Sequence, residues 1–119
     1  YILGAIGTRM DHTITNIGNM KVAADCGKDC HIVDEHNYIY LLSEADGIHI
    51  IRKDSQYGRY VSIIPMSENV SLSLEGFKYT LDNYELKQGL SICQSNEVED
   101  EQGIIKVHKG LIIVLETKD

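Results

Sequence analysis

Punctuation, more than content, limits what this chain can fold into. Beyond residue 28, short apolar or alternating runs are cut by turn signals at intervals of roughly 8–12 residues, the pattern of an antiparallel sandwich or barrel. Residues 31–33 and 38–42 are strand-like and flank the polar turn Asp34-Glu35-His36-Asn37. Residues 48–52 follow Asp46-Gly47, and residues 60–64 follow Tyr57-Gly58 and stop at Pro65, the only proline. Val70-Ser71-Leu72-Ser73-Leu74 alternates strictly, as a half-buried strand does. Residues 77–81 and 89–93 are shorter candidates. Residues 104–107 and 111–115 read as the clearest hairpin, turning at His108-Lys109-Gly110. The expected fold class is mainly β: an antiparallel, jelly-roll-like β-sandwich over residues 28–119.

Residues 1–27 have a different character. Residues 1–6 are apolar almost throughout, which suits a strand of a parallel sheet covered on both faces. Gly7-Thr8 interrupt that run, and Asp11 or Thr13 can cap a helix reaching about residue 24. Ile14, Ile17, Met20 and Ala24 then fall on one apolar stripe. This strand–turn–helix unit has no sheet of its own to join. It reads as the end of an α/β domain whose other strands lie upstream of Tyr1, so a piece of a longer protein is expected.

Charge narrows the partners. Eighteen acidic against 11 basic residues give a net charge of −7, which repels a polyphosphate backbone and argues against nucleic acid. No stretch approaches the roughly 20 apolar residues of a membrane span, and no basic-then-apolar signal opens the chain, so no membrane partner is expected. Cys26, Cys30 and Cys93 make an odd count that fits reduced thiols in the cytoplasm. The spacing of Cys26, Cys30 and His31 fits neither a zinc knuckle nor a haem attachment site, and the plainer reading is small buried hydrophobes.

Three clusters have chemistry to offer. Gly7-Thr8-Arg9-Met10-Asp11-His12 follows a strand and opens a helix, where free N–H groups favour anions. Arg9 is a fork donor for phosphate oxygens, Asp11 a hard ligand for Mg²⁺ or a counter-charge for a cation, and His12 a positioning or proton-transfer group. Read structurally, Asp11 is a cap and the other two are surface residues. Gln94-Ser95-Asn96-Glu97 precedes an acidic loop, and its Ser and Asn can read a heteroaromatic edge or simply satisfy a turn. Gly76-Phe77-Lys78-Tyr79 can stack a ligand, though core packing is the commoner fate of such aromatics.

Taken in order, these pieces resemble the thiamine pyrophosphokinase family. Its Gly-Arg-x-Asp-His pattern is matched by Gly7-Thr8-Arg9-Met10-Asp11-His12, with Asn16 following. Its Ser-Leu/Ile-Ile-Pro segment is matched by Ser62-Ile63-Ile64-Pro65, and its Gly-x-x-Tyr-x-Leu segment by Gly76, Tyr79 and Leu81. Its closing segment is matched by Gly89, Ser91, Ser95, Asn96 and Glu97. The resemblance implies transfer of pyrophosphate from ATP to thiamine, giving thiamine diphosphate and AMP with Mg²⁺. It also implies a homodimer whose active site lies between one subunit's α/β domain, here residues 1–27, and the other's β-sandwich. On that footing Arg9, Asp11 and His12 belong to the catalytic pocket, with Asp11 toward Mg²⁺, and Ser95 and Asn96 bind thiamine. Two departures stand out: the family's upstream acidic motifs are absent, and Ile113 occupies the place of a Trp that animal members hold against thiamine. The chain alone is therefore expected to retain thiamine-binding elements but not to turn over.

Two other readings compete. A non-enzymatic β-sandwich, binding a small molecule or acting as a dimerisation module, needs no catalytic residues. A jelly-roll metal enzyme needs clustered histidines, and His31, His36, His49 and His108 are scattered.

Overall fold

Strict alternation assigns each strand one face to bury, and two sheets facing one another satisfy all of these faces at once. The computed structural model describes residues 1–3, 10–89 and 92–119, with Ile2 and Leu3 described by backbone alone. Among them the strands are β1 (Ile2–Leu3), β2 (Ile32–Val33), β3 (Asn37–Ser43), β4 (Ile48–Arg52), β5 (Tyr60–Pro65), β6 (Val70–Glu75), β7 (Leu81–Leu86), β8 (Gln102–Lys109) and β9 (Leu111–Thr117). One α-helix, α1, covers Met10–Asp25. The first sheet runs β1-β2-β3-β9-β5 and the second β4-β8-β6-β7. Every pairing is antiparallel except β1 on β2, where Ile2 faces Ile32 in parallel. The expected mainly β sandwich is therefore the fold.

The core lies between the sheets. Tyr40 and Leu42 of β3, Val61 and Ile63 of β5, and Ile112 and Val114 of β9 face Ile51, Leu72, Leu74, Ile105 and Val107 from the other sheet. Burying each such side chain is worth about 1.5–3 kcal/mol relative to exposure. Pro65 ends β5 at a sheet edge, where its missing N–H costs no ladder bond.

The expected hairpin over residues 104–115 is not one. β8 pairs with β4 and β6, whereas β9 pairs with β3 and β5, so the two strands belong to opposite sheets. Gly110 alone turns the corner at φ 89°, and a Cβ there would sit 2.8 Å from Val70 Cγ2. Periodicity marks the inward residues of both strands but is blind to whether a tight turn stays in one sheet. The segments 77–81 and 89–93 also differ from expectation. Gly76 at φ 76° breaks the chain before Phe77, and the strand begins only at Leu81. Gly89 lies in a turn at φ 84°, Leu90 and Ser91 lie outside the described residues, and Ile92 and Cys93 join no ladder.

The helix packs on the outer face of the first sheet. Met20 is fully buried there with Ile32, Ile39 and Ile113, and Ile17 packs beside them. Ile14 is 61% exposed, so the sheet-facing stripe is Thr13, Ile17, Met20 and Ala24 and not the one read from Ile14. A sequence with apolar residues on more than one side of a helix leaves the docking face to the partner surface. No helix among the described residues is long and apolar enough to cross a membrane.

Candidate functional site

Ser95 and Asn96 lie in a loop laid against the edge of β5. Asn96 exchanges both backbone hydrogen bonds with Val61, at 2.8 and 2.9 Å, and the Ile63 N–H donates to the Cys93 carbonyl at 2.9 Å. Outside the loop, residues 77–79 are tied on by the Lys78 N–H donating to the Glu97 carbonyl at 2.8 Å. The Asn96 side chain closes the arrangement. Its Oδ1 accepts from the N–H groups of Tyr79 and Glu97, both at 3.0 Å, and its Nδ2 donates to the Tyr79 carbonyl at 2.8 Å. At 3% exposure its amide is spent on holding the loop.

Ser95 has the opposite setting. Its backbone adopts φ 55°, its side chain is exposed, and its N–H donates to Ser62 Oγ at 2.9 Å. Alternation along β5 turns Val61 and Ile63 inward, leaving Ser62 and a 40% exposed Ile64 on the other face. One hydrogen bond thus joins the Ser62–Pro65 segment to the Ser95–Asn96 segment, an association that spacing along the chain does not reveal. Beside the loop is a cavity of about 370 Å³ lined by Leu74, Lys78, Tyr79, Thr80, Leu81, Ile92 and Asn96. Its size suits a small ring system, and it offers an aromatic face, an ammonium and backbone polar groups.

Two further contacts shape the loop. Arg59 Nε lies 2.8 Å from Glu97 Oε1. That hydrogen bond holds the Glu97 carboxyl below the usual carboxylate range, but so exposed a pair adds little to stability. Phe77 bridges Val98, and a Cβ on Gly103 would come within 2.7 Å of Phe77 Cζ and 3.0 Å of Val98 Cγ2. Gly103→Ala is accordingly expected to cost about 1–3 kcal/mol by overpacking a ring that has nowhere to go, measurable by urea unfolding.

The other expected cluster is only partly described. Arg9 lies outside the described residues. Asp11 and His12 are exposed in the first turn of α1, where Asp11 Oδ1 accepts from the His12 N–H at 3.0 Å. None of the five most prominent cavities among the described residues is lined by residues of both clusters. Nor do three or more His, Cys, Asp or Glu side chains gather there as a metal site. Cys26 is exposed, Cys30 half-buried and Cys93 buried, so only Cys93 fits the reading of all three as buried hydrophobes. Burial pushes the Cys93 thiol up to about 11. Ile113 is 3% exposed beneath Met20, where it is covered by the chain's own helix.

A polar assembly that sequence reasoning missed occupies one end of the sandwich. Tyr40 Oη donates to Glu116 Oε2 at 2.7 Å and lies 2.9 Å from His49 Nε2. Glu116 Oε1 accepts from the Tyr57 N–H at 3.3 Å, and Tyr38 Oη lies 2.8 Å from His31 Nδ1. The available signal was Glu116 itself, which follows Ile112 and Val114 at an inward position of β9. Burial pushes the Tyr38 hydroxyl up to about 12, helped by Tyr1 and Glu116. The folded state therefore keeps a proton that the unfolded chain releases above the ordinary tyrosine value of 10.0. Stability contributed by Tyr38 is full below pH 10 and lost toward pH 12, so Tyr38→Phe is expected to flatten the alkaline limb of the stability profile.

Comparison with known proteins places these features. The family described as "Thiamin pyrophosphokinase, vitamin B1 binding domain" matches residues 48–112. A thiamine pyrophosphokinase of Bacillus subtilis (strain 168) is 34% identical over 119 residues, spanning 99% of this chain and 54% of that protein. One from Oryza sativa subsp. japonica is 32% identical over 118 residues, spanning 93% of this chain and 42% of that protein. Among solved structures, a thiamine pyrophosphokinase from Bacillus subtilis superposes with a TM-score of 0.88 at 33% identity, covering 98% of this chain and 54% of the other. The chain thus spans about half the length of the curated relatives it matches.

Proposed function

Because this chain belongs to the thiamin pyrophosphokinase vitamin B1-binding domain family, we propose that its sandwich supplies the thiamine-binding edge of an enzyme that transfers pyrophosphate from ATP to thiamine, giving thiamine diphosphate and AMP. The observation that carries the reading is the Ser95–Ser62 hydrogen bond, which holds the backbone of an exposed, left-handed Ser95 next to Asn96, a residue lining a ring-sized cavity. In this reading Ser95 meets the polar edge of the aminopyrimidine directly. Asn96 acts through the loop, because its own amide is already satisfied by Tyr79 and Glu97.

Residues 1–27 then form the end of the α/β domain that faces ATP, and residues 28–119 the thiamine-facing domain, in a homodimer whose active site is shared between subunits. Arg9 offers a fork of donors to phosphate oxygens as charge builds on them. Asp11 is exposed on the first turn of α1. As a hard oxygen ligand it would help to hold a Mg²⁺, which would supply charge neutralisation at the phosphates. His12, beside it, has the lesser part of orienting a substrate group. Transfer of this kind depends on alignment more than on covalent catalysis, so a rigid thiamine edge is a catalytic asset.

Calorimetric titration of thiamine tests the proposal. Saturable binding is expected, weakened about fivefold by Ser95→Ala, the worth of one neutral hydrogen bond, with the unfolding midpoint unmoved. The chain alone is expected to release no AMP from ATP and thiamine. Absence of thiamine binding, persisting when the upstream half of a relative is supplied in trans, would remove the reading in favour of a purely structural module.

A further inference from the structure

A buried carboxylate normally has a cation beside it, because desolvating an unpaired charge costs several kcal/mol. Glu116 is 5% exposed, and among the described residues its two oxygens accept from the Tyr40 hydroxyl and the Tyr57 N–H. Among the described residues the one ion pair between side chains is Arg59–Glu97, so none of the described lysines and arginines pairs with Glu116. Yet a cavity of about 440 Å³ opens onto it, bounded by Tyr38, Tyr57, His49 and Gln56, with Arg52 at the exposed rim.

Each wall is suited to positive charge. Tyr38 and Tyr57 are ring neighbours, with centroids 5.8 Å apart, and Tyr57 already draws a cation, Lys118 Nζ, to 4.5 Å from its centroid. Gln56 keeps a buried Oε1 with no hydrogen-bond partner among the described residues, an acceptor lacking a donor. His49 Nε2 faces the Tyr40 hydroxyl, whose own proton is committed to Glu116, so the imidazole donates there. Burial favours the neutral form of His49, against the pull of Glu116 and Asp46.

We propose that this end-of-sandwich cavity is a binding site for a small organic ammonium, the cation hydrogen-bonding Glu116 and stacking against Tyr38 and Tyr57. It stands at the far side of β9 from the Ser95 loop, which lies against β5, and does not depend on the thiamine reading. The cavity lies in the size range of small-molecule sites, and the sandwich end gives access without disturbing the core.

Benzylammonium, with benzyl alcohol as a neutral partner of nearly equal shape, is the probe. Titration followed by NMR is expected to shift the ring signals of Tyr38, Tyr57 and His49 saturably with the ammonium and not with the alcohol, leaving Tyr79 still. Glu116→Gln is expected to weaken binding about tenfold or more, as loss of a charge-assisted hydrogen bond does. If that variant loses its fold, the wild-type contrast between ammonium and alcohol decides alone. Equal binding of both probes, or shifts centred on Tyr79, would overturn the proposal. So would displacement of the probe by thiamine together with a weaker probe affinity in Ser95→Ala, which would make this the same site as the loop.

Discussion

Asn96→Ala is expected to lower the unfolding free energy by about 2–4 kcal/mol, a large share of what a domain of this size has to spare. The side chain makes three hydrogen bonds to backbone, at 3.0, 3.0 and 2.8 Å, while 3% exposed. Truncation leaves the N–H groups of Tyr79 and Glu97 and the carbonyl of Tyr79 without their partner, and a methyl group cannot recover any of them. Urea unfolding measures the loss, and hydrogen exchange at the Tyr79 and Glu97 amides locates it. If those two amides kept their protection in the variant, Asn96 would not be the clamp its geometry makes it. Ser95→Ala, one residue away, is the contrast: its hydroxyl faces solvent, and its contact to Ser62 runs through the backbone N–H and survives.

The second large effect lies on the opposite side of the first sheet. Met20→Ala is expected to cost about 2–4 kcal/mol, because a fully buried side chain is removed from a small cluster that can collapse only partly around the gap. Ile14→Ala, on a side chain 61% exposed, is expected to change stability by less than about 0.5 kcal/mol. Thermal unfolding of the pair gives the comparison. Equal costs would mean that α1 docks on a different face. Since Met20 covers Ile113, loss of Met20 is also expected to uncover that position, giving Ile113 an exposure it lacks in the intact chain.

Legibility in the sequence followed the physics of each signal. β4 was readable to the residue, because the Asp46-Gly47 turn fixes its start and an apolar run follows it directly. Ser95 and Asn96 were readable as a polar pair, but their division of labour was not. Which of two neighbouring polar residues turns inward depends on φ at Ser95 and on the bridge to Val61. The Tyr40–Glu116–His49 assembly was hidden because its members come from β3, β9 and β4, and only the meeting of two sheets assembles them.

What the sequence determined by itself was local: the helix and most of the strands, the inward residues of β6, and the polar segments whose order resembles one family. Those follow from periods and turn chemistry that act within a few residues. Tertiary structure decided that β8 and β9 part at Gly110 into opposite sheets, that α1 docks through Met20 and not Ile14, and that Ser62 anchors Ser95. Each of these is a choice among locally equivalent alternatives, and only the packing of distant surfaces against one another makes them unequal.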